Sequence, residues 1–306
     1  MKRLLFLTPL VVLAVFAAAA WPDEALTPPT PVRILVPAVE NAPPALLLAD
    51  WAASPEATRG KKSYARWCIG CHGDEGLGDG KASDWMSPKP RNFQKGFFKF
   101  RTTPSGALPT SEDVLKVITR GLPGSAMPSF ELVPEKERRD LAAWVLHLAG
   151  FGIARLEAEV LRDNEKLTRA QILAQHMPAL KGAVAARFAS AVQIVLPPEP
   201  AADEASLTRG RARYAKECSA CHGTSGLGDG TSSTTLRDWQ GAAILPRDFS
   251  TGKFRAGSTN ADLYVRLKTG LMGTPMPSIN GSDADLWDLV HAIRSFVTAP
   301  AEGASR

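Results

Sequence analysis

The strongest constraint on this chain is a pentapeptide that occurs twice. Cys68-Ile-Gly-Cys71-His72 and Cys218-Ser-Ala-Cys221-His222 contain all 4 cysteines of the 306 residues. In an exported protein, four cysteines would ordinarily suggest two disulfides. The spacing argues otherwise, because each C-x-x-C pair runs straight into a histidine, the attachment signature of c-type haem. Two thiols three residues apart on a turn can each form a thioether to one haem vinyl, and the adjacent imidazole then lies under the iron as its fifth ligand. A thioredoxin-like redox pair would need a βαβ setting, and a zinc site would need ligands converging from both motifs.

The motifs belong to a longer repeat. Arg59-Gly60 and Tyr64-Ala65 recur as Arg209-Gly210 and Tyr214-Ala215, and each motif is followed by Gly-x-x-Gly-Leu-Gly-Asp-Gly, at Gly73 to Gly80 and at Gly223 to Gly230. Pro90-Arg91-Asn92-Phe93 pairs with Pro246-Arg247-Asp248-Phe249, and Lys99-Phe100-Arg101 pairs with Lys253-Phe254-Arg255. Each copy closes on an apolar pattern at helical spacing: Leu141, Trp144, Val145 and Leu148, then Leu286, Leu289, Val290 and Ile293. The glycine run follows a haem motif and not a strand, so it is no dinucleotide loop. Its glycines permit tight turns near the haem edge, with Asp79 and Asp229 as turn or cap residues.

A sixth ligand can be sought among 6 methionines and 5 histidines. Met127 and Met276 occupy the same repeat position, in Gly124 to Ser129 and Gly273 to Ser278, and each precedes a proline that disfavours helix and stiffens the loop. Gap-filling is the usual job of methionine, but the matched placement favours ligation, and a His/Met pair raises the potential. Met86 has no counterpart and Met272 aligns with Pro123, so both read as packing residues. His147 and His291 are out of register with each other, and His176 stands alone in the connector. Two irons closed by His72 with Met127 and by His222 with Met276 leave no open position for a substrate, which makes electron transfer the expected function and leaves no catalytic residue to assign. One arginine per repeat, from Arg91, Arg101, Arg247 and Arg255, is expected to pair with a haem propionate.

These residues resemble a class I cytochrome c domain, twice over: G-x-x-x-Y before C-x-x-C-H, a Met-Pro loop about 55 residues later, and a closing amphipathic helix. The resemblance implies an all-α fold of two tandem class I cytochrome c domains, each a small helical bundle around a covalently bound haem, with the first and last helices crossing near Gly60 and Gly210. It implies two haem c groups, held by Cys68, Cys71, Cys218 and Cys221, with iron ligands His72, Met127, His222 and Met276. The Pro-Arg-x-Phe and Lys-Phe-Arg segments are similar to those of haem domains attached to bacterial respiratory oxidoreductases.

Organisation follows. Residues 1–20 read as a signal peptide, with Lys2 and Arg3 before an apolar run and an A-x-A site before Trp21, or as an uncleaved membrane anchor. The expected parts are then a proline-rich lead segment (21–53), domain 1 (54–150), a connector (151–203), domain 2 (204–298) and a tail (299–306). Helical faces in the connector are expected at Leu156 and Val160, and along Leu180, Val184, Phe188, Val192 and Val195, ended by Pro197-Pro198-Glu199-Pro200. Some fifty residues between the halves speak against tight packing of one haem site on the other. The formal net charge is +5 and falls to +3 without Lys2 and Arg3, so nucleic acid is a poor partner. The expectation is a periplasmic one-electron carrier between respiratory partners, on a quinol-side donor and a terminal oxidase or reductase. A cytochrome subunit of a larger oxidoreductase complex is the alternative, and a di-haem peroxidase or thiosulfate dehydrogenase a third class.

Overall fold

The computed structural model describes residues 44–298. The signal peptide, most of the lead segment and the tail lie outside these residues. Among the described residues the architecture is all-α, with no β-strand beyond one isolated bridge between Arg237 and Ala243.

Helix α1 (Pro55–Trp67) starts where Ser54 Oγ accepts the Ala57 amide and Pro55 fills a position whose N–H would be unpaired anyway. It stops at Cys68, so α2 (Ile69–His72) is a single turn carrying the haem motif. Then come α3 (Ser111–Arg120), opened by a Thr110/Asp113 capping box, and the long α4 (Glu135–Glu165). After α5 (Arg169–Gln171), a π-helical turn at Ile172–His176 leads into α6 (Met177–Ala189). The second half repeats the first: α7 (Glu204–Glu217), α8 (Ser219–His222), α9 (Asn260–Thr269) and α10 (Asp283–Ser295).

In each half the first helix lies across the last at a glycine. A Cβ on Gly60 would stand 1.8 Å from Asp140 O, and one on Gly210 would stand 2.0 Å from Asp288 O. The same aspartates bind the crossing from the side: Arg59 grips Asp140 through two 2.9 Å hydrogen bonds, and Arg209 grips Asp288 at 2.6 and 3.0 Å. Beneath the crossings, Leu141, Trp144, Val145 and Leu148 are buried in one half, and Leu286, Leu289, Val290 and Ile293 in the other.

The connector departs from expectation. Helix α4 does not stop near residue 150 but runs on to Glu165, and its buried face there is Phe151, Ala154 and Ala158, while Leu156 and Val160 are about half exposed. Small residues let this end of α4 lie close against Ile172, Leu180 and Val184 and against Ala45 and Leu46 of the lead segment. The second expected face is cut short: α6 ends at Ala189, and Val192 and Val195 are exposed in extended chain. Helix α4 is long and apolar enough to cross a bilayer, but most of its apolar stretch is buried in these two cores.

The halves pack directly on each other. Arg101 Nη2 donates to Thr269 O at 2.8 Å, Lys116 pairs with Asp262 at 2.8 Å, and Arg255 Nη2 donates to Gly124 O at 2.6 Å. Phe97 meets Trp239 edge to face at 5.9 Å. The connector's length is absorbed by α5 and α6 folding back on α4, so its path does not hold the halves apart.

Candidate functional site

A cavity of about 380 Å³ opens in the first half, lined by Cys68, Cys71, His72, Met86, Phe93, Phe98, Val114, Ile118, Met127 and Val145 together with the cations Arg91, Lys99 and Arg255. Protein interiors are close-packed, so an apolar void of this size edged by a few charges marks a ligand's place. Both cysteines, the histidine and the methionine singled out by their spacing face it together.

The histidine is held from behind. His72 Nδ1 lies 3.0 Å from Arg91 O, and its ring stacks on Phe93 with centroids 4.5 Å apart. A backbone carbonyl can only accept, so Nδ1 carries the proton and the Nε2 lone pair is left for a metal. Burial pushes the His72 pKa below its usual value, which keeps the ring neutral as a ligand must be. Below the motif, the buried Tyr64 hydroxyl donates to Gly73 O at 2.8 Å and ties α1 to the end of α2. On the facing side, Met127 sits in a loop closed by Leu122 N donating to Met127 O at 3.1 Å.

The second half reproduces this arrangement. His222 Nδ1 lies 3.2 Å from Arg247 O, its ring stacks on Phe249 at 4.5 Å, and Tyr214 donates to Gly223 O at 2.8 Å. Leu271 N donates to Met276 O at 3.0 Å, and both Cys218 and Met276 pack on the core of this half. Burial lowers the His222 pKa in the same direction.

The competing uses of the cysteines find no support. All four are unpaired, and burial pushes Cys68 up to about 12 and Cys218 up to about 11, far from a reactive thiolate. Among the described residues no group of three or more His, Cys, Asp or Glu side chains could hold a zinc ion.

Arg101 and Met86 fall elsewhere than expected. Arg101 does not reach the cavity: its guanidinium is consumed by the carbonyls of Phe98, Pro104 and Thr269. Met86, read as packing, lines the same cavity as Met127. His147 stacks on Trp144, with burial lowering its pKa to about 4, and His291 is buried against Ser206 Oγ at 2.7 Å; neither lines the cavity. The Pro-Arg-x-Phe repeat was visible, but its work was not: the arginine carbonyl accepts the imidazole proton and the phenylalanine stacks on the ring.

Comparison with known proteins agrees with this geometry. Residues 207–296 match the family model for cytochrome c, and residues 55–145 match that for cytochrome C oxidase, cbb3-type, subunit III. No curated protein matches the sequence. Among solved structures, the chain is similar to one from the Kuenenia stuttgartiensis reducing HAO-like protein complex Kustc0457/Kustc0458, at 34% identity over 80% of this chain and 97% of that one, with a TM-score of 0.62.

Proposed function

Because the chain belongs to the family of tandem class I c-type cytochromes, we propose that it relays electrons singly between redox partners through two haem c groups, one in each half. Haem c, when bound, supplies a one-electron iron couple. The protein's part is to tether, orient and shield it. Cys68 and Cys71 would hold the ring in the first half, and Cys218 and Cys221 in the second. His72 and His222 offer Nε2 to the metal because Arg91 O and Arg247 O hold their other nitrogens. Met127 and Met276 would offer their thioether sulfurs to the metal, and the apolar walls of the first cavity would keep water from it, which favours the less charged reduced form. The carrying observation is the shared cavity of Cys68, Cys71, His72 and Met127, with its sequence and hydrogen-bond pattern repeated in the second half.

Two observations favour work as a subunit of a larger oxidoreductase complex over free diffusion. The solved relative is a chain of a protein complex, and the first half matches the model of an oxidase subunit. Export through residues 1–20, with function in the periplasm, completes the reading. The test is reductive titration of the native protein under carbon monoxide and then peroxide. Uptake of two electrons per chain, with no carbon monoxide adduct and no peroxide turnover, is expected of two closed sites. Adduct formation with peroxide consumption would make it an enzyme instead. Co-purification of a stoichiometric oxidoreductase from the source membrane supports the subunit role, and recovery alone in the soluble fraction contradicts it.

A further inference from the structure

We infer that the second half completes the haem site of the first: Arg255 holds a propionate of the group seated between His72 and Met127, with Arg91 and Lys99 facing the same acid edge. This rests on the haem reading above and adds to it a contribution from across the interface, where sequence alone would give each repeat its own arginine.

Arg255 belongs to the second repeat yet lines the first cavity. Its Nη2 donates to Gly124 O, in the loop that leads to Met127, at 2.6 Å. Its Nε is buried and has no hydrogen-bond partner. Buried donors are almost always paired, so an orphan at a cavity wall points to an acceptor supplied by a ligand. The charges say what kind. Arg91, Lys99 and Arg255 gather at one cavity, and none of the three forms an ion pair among the described residues; Asp238 acts on Arg91 and Lys99 only through space. Burial lowers the pKa of all three, that of Lys99 to about 8. Cations packed this way lack a dianion, and haem brings two carboxylates on one edge.

The repeat partner of Arg255 sharpens the point. Arg101 also crosses the interface, to Thr269 O, but carbonyls of its own half take its other donors and it does not line the cavity. The potential of the first haem thus depends on a residue of the second half.

The test compares Arg255→Gln and Arg255→Lys with the wild-type holoprotein, measuring haem content, the sulfur-to-iron absorption band and both midpoint potentials. The first haem's wave is identified by its displacement in Met127→His. Removing a half-buried cation favours the oxidised iron, so Arg255→Gln is expected to weaken reduction of the first haem about tenfold, about 59 mV for one electron. The second wave stays in place, and Arg255→Lys recovers most of the loss. With two haems and the band intact, an unmoved first wave overturns the inference. So does an equal displacement of both waves in both variants, which marks Arg255 as an interface brace alone. Fewer than two haems in the wild-type protein would remove the haem reading as well.

Discussion

Met86 and Met127 line the same cavity, so the choice of sulfur ligand turns on how each is presented. Met127 sits in a Pro-stiffened loop closed by its own carbonyl, and Met276 repeats that loop in the second half; Met86 has no equivalent. We expect Met127→Ala to abolish one of the two sulfur-to-iron bands and lower one midpoint potential, and Met86→Leu to leave both unchanged. The reverse result would transfer the role to Met86. Tyr64 offers a second residue-scale check. Its hydroxyl donates to Gly73 O in a buried setting, so Tyr64→Phe leaves that carbonyl with the Gly76 amide alone and should cost about 0.5–1.5 kcal/mol in denaturant unfolding. Ligand candidates were legible in the sequence because two copies could be laid over each other. That Arg255 lines the cavity of the other half was not legible, since a repeat alignment assigns every residue to its own copy and carries no information about what crosses an interface.

Helix crossings set what each haem pocket rests on. A Cβ on Gly60 would enter the carbonyl of Asp140, and neither backbone can yield without lifting α1 off α4. Gly60→Ala is therefore expected to destabilise the first half by about 3 kcal/mol, read as a lower unfolding midpoint, with Gly210→Ala doing the same to the second. The Arg59 hydrogen bonds hold the Asp140 carboxyl below its ordinary value of 3.8, and Lys136 adds to the effect. A carboxyl whose pKa is lower folded than unfolded stabilises the fold above about pH 4 and loses that contribution as it is protonated. The stability difference between wild type and Asp140→Asn should thus be full at pH 7 and shrink as pH falls below 4; a difference constant down to pH 3 would contradict the pairing. Helix periodicity revealed the closing helices but misjudged the connector. There, Ala154 and Ala158 form the buried stripe because close helix contact favours small side chains, whereas Leu156 and Val160 advertised a face that points outward.

At the scale of the molecule, the contacts from Arg101, Lys116 and Arg255 join the two repeats, while Val195 lies exposed in the chain between them. A protease site inserted after Val195 should allow the chain to be cut with the fragments still co-eluting on gel filtration at moderate salt; separation on cutting would mean that the connector alone keeps them together. This packing was illegible beforehand because linker length limits separation without dictating it, and the interface consists of single side chains meeting carbonyls. The proposed electron relay requires each half to carry its own tethered haem. The direct measurement is the intact mass of protein matured in a host that attaches haem, followed by fragmentation across the two motifs. The account predicts a mass increased by two haems, one mapped to Cys68 and Cys71 and one to Cys218 and Cys221. A mature protein carrying one haem or none, or a disulfide within either motif, would contradict it.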